Sequence, residues 1–239
     1  MKAMERVIKD YITKVTDPMM DSLQFAYWVG RGVDVANIFI LDNIHKHLET
    51  PNSTARLLFA DFSSAFNTMQ PHILAEKLIT RFHLDHQLTL WIIDFLTNRT
   101  QRVLVNDTFS DVRITSTGSP KGCVLSSLLY ILYTDDCRCT KPNCHMLKFA
   151  DDTVVLSLLS GSLHDHSSAL QEFVKWCEMS CLELNVDKTK EMIVTFSPKQ
   201  RQLAEAVTTT IQGKLVEDVE EYKYLGTVFD NQLKFSSNT

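Results

Sequence analysis

Apolar residues recur at helical spacing over residues 1–16, where Met4, Val7, Ile8, Tyr11, Ile12 and Val15 would share one face. The same spacing runs through 34–50 by way of Val35, Ile38, Phe39, Leu41, Asp42 and Leu48. Between these, "LQFAYWVGRG" (23–32) reads as a short strand or loop ending in a glycine-flanked arginine. "RLLFADF" within 55–66 reads as a strand that breaks at a serine pair. Residues 71–82 open a helix with proline at its first turn, and 87–99 continue helical. Alternation resumes in "QRVLVND" and "DVRITSTG", a β-hairpin turning at Asn106–Asp107. Residues 122–136 form a strongly apolar helix, and 145–159 two strands bent at Asp151–Asp152. An amphipathic helix over 167–184 follows, then the strands "KEMIVTFS" and "EYKYLGTVF", with a loop expected at 197–210. The sum is an α+β fold: a mostly antiparallel sheet with helices packed on one face.

Composition narrows the classes. The 239 residues, 44% hydrophobic, suffice for one large domain or two small ones. A net charge of −5 gives no global signature of a nucleic-acid binder. Six cysteines without a signal peptide read as reduced thiols of an intracellular protein, cytoplasmic or nuclear. No run approaches the ~18 apolar residues of a membrane span, so no membrane partner is expected.

The chemistry concentrates in "LKFADDTVVLS" (147–157). An unpaired buried carboxylate costs several kcal/mol, and two adjacent ones also repel each other. A strand turn with a divalent cation nearby removes that cost. A second strand, "LLFADF", ends in Asp61. Neighbouring strands of one sheet would bring the two acidic ends together, a site suited to Mg²⁺ that completes its shell with phosphates. The alternative is that these acids only cap turns. Asp135–Asp136, after a helix end, reads as solvated surface.

"FADD" between apolar strands, preceded by "ADFSSAFNTMQP" and "TGSPKGCVLSSLLYILYTDDC", resembles the reverse transcriptase of non-LTR (LINE-type) retrotransposons, over about residues 2–230. The resemblance implies a right-hand polymerase, with partial fingers over 1–55 and a palm over 56–196 holding a fingers insertion near 71–116. The end of the palm and the primer-grip hairpin would follow over 197–239. It implies synthesis of DNA on an RNA template, from dNTPs and a DNA primer, with two Mg²⁺ ions or Mn²⁺ in their place. Asp61, Asp151 and Asp152 would be the catalytic acids and metal ligands, Asp152 also supporting the other two, and the backbone of Phe62 would reach a metal. Phe66 would be a steric gate against a 2′-hydroxyl. Gly118, Pro120, Lys121 and Gly122 would form a loop against the templating base and nucleotide, the glycines admitting close backbone approach. Lys188 would be a general acid for pyrophosphate, and Arg31 a phosphate contact. Tyr222, Tyr224, Leu225 and Gly226 would grip the primer end.

The chain departs from that pattern at three places. Trp28 stands where a basic residue is usual, Lys121 where glutamine is, and Ser127 where proline is. The chain begins within the fingers and stops soon after the primer grip, so the thumb and an endonuclease are expected to be absent. A truncated remnant that no longer extends a primer is therefore a second reading. A nuclease or cyclase is a third, disfavoured because neither needs "TGSPKG" or "YKYLG". Cys137, Cys139, Cys144 and His145 are enough ligands for zinc, but their spacing is irregular and lacks a C-x₂-C pair.

Overall fold

The computed structural model describes residues 2–28, 30–160 and 164–234. In chain order the elements are α1 (Lys2–Thr16), α2 (Val33–Leu48), β1 (Ser53–Ala60), the short α3 (Ala65–Thr68), α4 (Pro71–Thr80), α5 (His86–Leu96), β2 (Arg99–Gln101) and β3 (Leu104–Val105). Next come β4 (Thr108–Phe109), β5 (Arg113–Thr115), α6 (Val124–Thr134), β6 (Cys144–Phe149), β7 (Asp152–Ser160), α7 (His164–Met179) and β8 (Lys190–Val194). The chain ends with α8 (Pro198–Glu205), β9 (Thr210–Ile211), β10 (Lys214–Leu215), β11 (Glu217–Asp218), β12 (Glu221–Tyr224) and β13 (Thr227–Asp230). Contacts divide the chain into two interleaved units: 22–63, 137–179 and 183–239 in one, and 1–21, 64–136 and 180–182 in the other.

The first unit is built on a five-stranded sheet in the order β11-β8-β1-β7-β6. All pairs are antiparallel except β11 with β8. Every residue of β1 is buried, because its two faces enter two different cores. Leu57 and Phe59 join Ile40 and Ile44 of α2, Tyr224 and Phe229 on one side. Leu58 joins Ala169, Phe173 and Cys177 of α7 on the other. The expectation of helices on one face is corrected accordingly, while the α+β class stands. The apolar stripe chosen for the second helix is also corrected. Ala36, Ile40 and Ile44 are fully buried, whereas Val35 and Ile38 are exposed. The segment 197–210, expected as a loop, carries α8. Ser197 caps it by accepting from the Gln200 N–H, and Pro198 occupies the first turn, the two start signals of a helix.

Arg56 interrupts the apolar run of β1 and is 1% exposed. It pairs with Glu191 of β8 at 2.8 Å and donates to the Val207 carbonyl at 2.9 Å. The other carboxylate oxygen of Glu191 meets His166 Nε2 at 2.7 Å and accepts from the Thr209 hydroxyl. His166 Nδ1 reaches Ser157 of β7 at 2.9 Å. Burial pushes the Glu191 carboxyl up, but the His166 hydrogen bond and the charges of His166 and Arg56 hold it below the usual range. Three strands, α7 and the 207–209 segment are thus tied through one carboxylate.

In the second unit, α1 packs on α6 and α4 packs on both α5 and α6, around Leu74, Leu78, Ile92, Leu96, Leu129 and Tyr133. The face expected of α1 is corrected: Met4, Val7 and Tyr11 are exposed, and Glu5, Ile12 and Thr16 are buried. Glu5 accepts from the Val124 N–H at 2.7 Å. It supplies the cap that Cys123 lacks and sets a negative charge at the α6 N-terminus. Asp135 is corrected from solvated surface to fully buried. It accepts from the Asp21 N–H and from Arg81, both at 2.6 Å, and Asp136 pairs with Lys77. The 99–115 hairpin forms as expected, with β2 paired to β5 and β3 to β4.

Because one-sided loss of a buried pair strands a charge, Arg56→Met should lower stability by about 3–5 kcal/mol in chemical denaturation. The double change Arg56→Met with Glu191→Met should cost less than the sum of the two single changes.

Candidate active site

The register of the sheet sets the acids. Ala60 at the end of β1 pairs with Thr153 of β7, so the residues just beyond, Asp61 and Asp152, lie across from one another at one end of the sheet. Phe149 pairs with Asp152, leaving Ala150 and Asp151 as a two-residue turn, with Ala150 in the left-handed region at φ 58°. Both acids of the pair therefore stand at a strand turn, and both are solvent-exposed, while Asp61 is half-buried. Partial burial, then the charges of Asp151 and Asp61, raise the Asp152 carboxyl above the usual aspartate range. No lysine or arginine pairs with any of the three among the described residues. Nor do three such side chains converge there into a ready metal cage. The donors are hard oxygens with unneutralised charge. Mg²⁺ takes only one or two carboxylates and fills the rest of its shell with water and phosphate, so the residues present fit it.

Two further expected residues come to the same end of the sheet. The 185–189 turn docks on the Asp61 backbone: the Asn185 N–H donates to the Asp61 carbonyl at 2.8 Å, and the Asp61 N–H to the Thr189 hydroxyl at 3.3 Å. Lys188 sits exposed on this turn. Phe62 bridges Leu184 through its backbone, and its ring lies 6.2 Å from Phe173. The β12–β13 hairpin packs on β1, with Tyr222 stacked on Phe59 at 4.1 Å and Tyr224 tilted at 5.7 Å. Burial, then the charges of Asp152 and Asp61, raise the Tyr222 hydroxyl. Tyr224 is pushed up by burial and by Asp152. Leu225 and Gly226 make the two-residue turn, both at positive φ (48° and 87°), the twist a tight hairpin needs.

The 22–32 segment lies along β6: the Phe25 N–H donates to the Lys148 carbonyl and the Lys148 N–H to the Leu23 carbonyl. Arg31, expected to meet phosphate, donates to the Ser22 and Gln24 carbonyls at 3.2 and 3.1 Å and lies 6.0 Å over the Trp28 ring. Its guanidinium ties its own loop together. Tyr27, which sequence reasoning passed over, is exposed at φ 63°, and partial burial, then the Asp151 charge, raise its hydroxyl above the usual range. Nothing in the letters "FAYW" marks it, since the turn that presents it depends on pairing with β6.

The loop 117–122 belongs to the helical unit. A Cβ on Gly118 would lie 2.6 Å from the Asn67 Cα and from the Phe66 carbonyl oxygen. The glycine is thus required by its own chain as well. The Gly118 N–H donates to Met69, and Arg99 donates to the Thr117 and Gly118 carbonyls. The Pro120 carbonyl accepts from Ser126 at 2.6 Å. Lys121 and Gly122 are exposed, and Gly122 has open space around it at φ 77°. Phe66 stacks on Tyr130 at 4.4 Å. Of the zinc-ligand set, Cys139 and Cys144 hydrogen-bond to each other, but no three potential ligands come together among the described residues. Alternation along β6 sends Cys144 toward Ser157 and His145 to the Phe39 ring, while Cys137 meets Met146 and Cys139 meets Glu172.

Solved structures share this architecture. Apo telomerase from Candida tropicalis superimposes with a TM-score of 0.64 over 97% of this chain and 44% of its own, at 11% identity. Telomerase from Candida albicans gives 0.58 over 97% of this chain and 38% of its own, at 13% identity. The fold is therefore of the polymerase palm type. The sequence profile of the reverse transcriptase (RNA-dependent DNA polymerase) family matches residues 1–229, and the chain belongs to that family. It is 30% identical over 189 residues to the RNA-directed DNA polymerase from mobile element jockey of Drosophila melanogaster. It is 28% identical over 194 residues to a probable RNA-directed DNA polymerase from transposon BS of the same fly. Each alignment covers 74% of this chain and 20% of the relative, so the chain spans about a fifth of the length of these curated relatives. The resemblance to non-LTR retrotransposon reverse transcriptases agrees with these matches.

Two outcomes follow from this geometry. Gly118→Ala should destabilise by about 2 kcal/mol or more, through clash and strain together. Gly122→Ala should cost only the left-handed penalty, about 1–2 kcal/mol, in the same thermal unfolding experiment. Asp152, with its folded value raised, favours folding below the ordinary aspartate range and loses that advantage as pH rises through it to the folded value. Asp152→Asn should therefore raise the melting temperature at pH 7. Millimolar Mg²⁺ or Mn²⁺ should raise that of the unaltered chain and shift the variant less.

Proposed function

We propose that this chain is the catalytic part of an RNA-directed DNA polymerase, joining a dNTP to a DNA primer 3′-hydroxyl on an RNA template. The observation that carries the reading is the register-driven apposition of Asp61 and Asp152, with Asp151 in the adjoining turn. Their repulsion is relieved by no cation of the chain among the described residues. Two Mg²⁺ ions, or Mn²⁺, held by Asp61 and Asp151 with Asp152 beside them, would activate the 3′-hydroxyl and neutralise the departing pyrophosphate.

The remaining roles follow from side-chain chemistry and the family resemblance. Lys188, exposed on the turn docked at Asp61, is a proton donor to the leaving pyrophosphate. The Tyr222–Gly226 hairpin, braced on Phe59, holds the primer end. Phe66, fixed against Tyr130, opposes a 2′-hydroxyl. The loop of Gly118, Pro120, Lys121 and Gly122 offers backbone and one cation to template and nucleotide. Arg31 acts on phosphate only if its bonds to the Ser22 and Gln24 carbonyls exchange.

Primer extension on an RNA template with dNTPs and Mg²⁺ tests the reading. The chain should extend the primer, and Asp151→Asn should lower the rate by at least about 10²–10³-fold, the scale of losing one preorganised electrostatic partner. No extension by a folded chain, even at low salt and high protein concentration, would overturn the proposal in favour of an inactive remnant.

A further inference from the structure

The cysteine run between α6 and β6 has no part in the polymerase chemistry, yet the fold brings two of its thiols together. The Cys144 thiol donates to the Cys139 sulfur, and the Cys139 thiol donates in turn to Glu172 Oε2 on α7 at 3.8 Å. Each cysteine has its own anchor. Glu172 accepts from the Thr140 N–H at 3.1 Å and from the Thr140 hydroxyl at 2.7 Å, and Lys141 pairs with it at 3.6 Å. That fixes Cys139 against α7. Cys144 is fixed by the sheet: it pairs with Ser157 of β7, whose hydroxyl lies 3.9 Å from its sulfur. Between them Asn143 turns the chain at φ 61°, and its carbonyl accepts from the Leu158 N–H at 2.8 Å. The thiols are thus held in contact by α7 on one side and β7 on the other, and not by nearness in sequence alone.

All six cysteines are free thiols. Cys137 and Cys177 are buried, whereas Cys139 and Cys144 are partly exposed and within reach of a small oxidant. Among the described residues these groups build no metal cage, which leaves the pair the chemistry of a dithiol. The two sulfurs are unequal. The hydrogen bond from Cys144, and the Lys141 N–H after it, hold the Cys139 thiol below the usual range against burial and the Glu172 charge. The same hydrogen bond, and then burial, push the Cys144 thiol up. Because the thiolate is the reactive form, Cys139 is the attacking sulfur and Cys144 the one that resolves it.

We infer that Cys139 and Cys144 are an oxidative modification site, a dithiol that a peroxide closes to a disulfide. The Cys139 sulfur attacks one peroxide oxygen: an S–O bond forms, the O–O bond breaks, and hydroxide leaves as water with the Cys139 proton. The Cys144 sulfur then attacks the Cys139 sulfur. The S–S bond forms, the S–O bond breaks, and a second water leaves with the Cys144 proton. The thiols give up two electrons and two protons, and the peroxide is reduced to two waters. The inference stands apart from the polymerase reading, since Cys144 opens β6 and the acidic turn follows its other end.

The test is hydrogen peroxide treatment of the unaltered chain, folded and in guanidinium, followed by alkylation of the remaining thiols and mass analysis of the tryptic peptide 139–148. Trypsin cuts after Arg138 but spares Lys141, which precedes Pro142, so both cysteines stay in one peptide. From the folded chain that peptide should come out two hydrogens lighter and without alkyl groups. It should close at least about tenfold faster than the exposed Cys181 is oxidised, and that advantage should vanish in guanidinium. Cys144→Ser should stop at a Cys139 sulfenic acid, trapped by dimedone, while Cys139→Ser should leave Cys144 free to be alkylated. The inference is overturned if the folded chain keeps both alkyl groups while Cys181 is oxidised. It is equally overturned if the unfolded chain closes the bridge as fast as the folded one, because nearness in sequence would then suffice.

Discussion

The structure depends above all on the pairing of β1 with β7. A strand register is an integer constraint: a slip of one residue would send every side chain of β1 to the opposite face. Leu57 and Phe59 would leave the core they share with α2, Leu58 would leave the core under α7, and Arg56 would lose Glu191. The same slip would separate Asp61 from Asp152. One geometric choice therefore serves both the packing and the chemistry, and the two large cores protect the acidic arrangement from local error.

The acids are held at the sheet's end against their mutual repulsion, and stability is spent there. Asp152 is raised by its acidic neighbours, Ala150 and Tyr27 are left-handed without being glycine, and Leu225 adds another such residue on the hairpin over Phe59. Such strain persists only where surrounding structure over-determines it. Here the two cores and the buried Arg56–Glu191–His166 network provide that support.

Much of this was legible in the letters. β1, the bent β6–β7 pair, the 99–115 hairpin and the apolar α6 follow from period and turn chemistry. Asp61 and the Asp151–Asp152 pair stand out as acids in apolar runs. What was illegible is which face of a helix meets a partner. The stripe with Met4, Val7 and Tyr11 looked like the inner face of α1, yet Glu5 is inside because the N-terminus of α6 lacks a cap of its own. Asp135 was misread for the same reason: its partners, Asp21 and Arg81, are 114 and 54 residues away. Tyr27 carries no local signal at all, since its left-handed turn follows a bridge between distant segments, Gln24 and Lys148.

The interleaving of the two units bears on how the chain comes to be folded. β1 ends at Ala60, but its antiparallel partners begin only at Asp152 and Lys190, and the whole helical segment 64–136 intervenes. During synthesis the central strand emerges first, apolar on both faces and with neither edge paired. Contacts of such high sequence separation form slowly, and unpaired apolar strands are sites of misassociation. Until Lys190–Val194 has been made, β1 lacks one of its partners and is a nascent hazard that the finished sheet conceals.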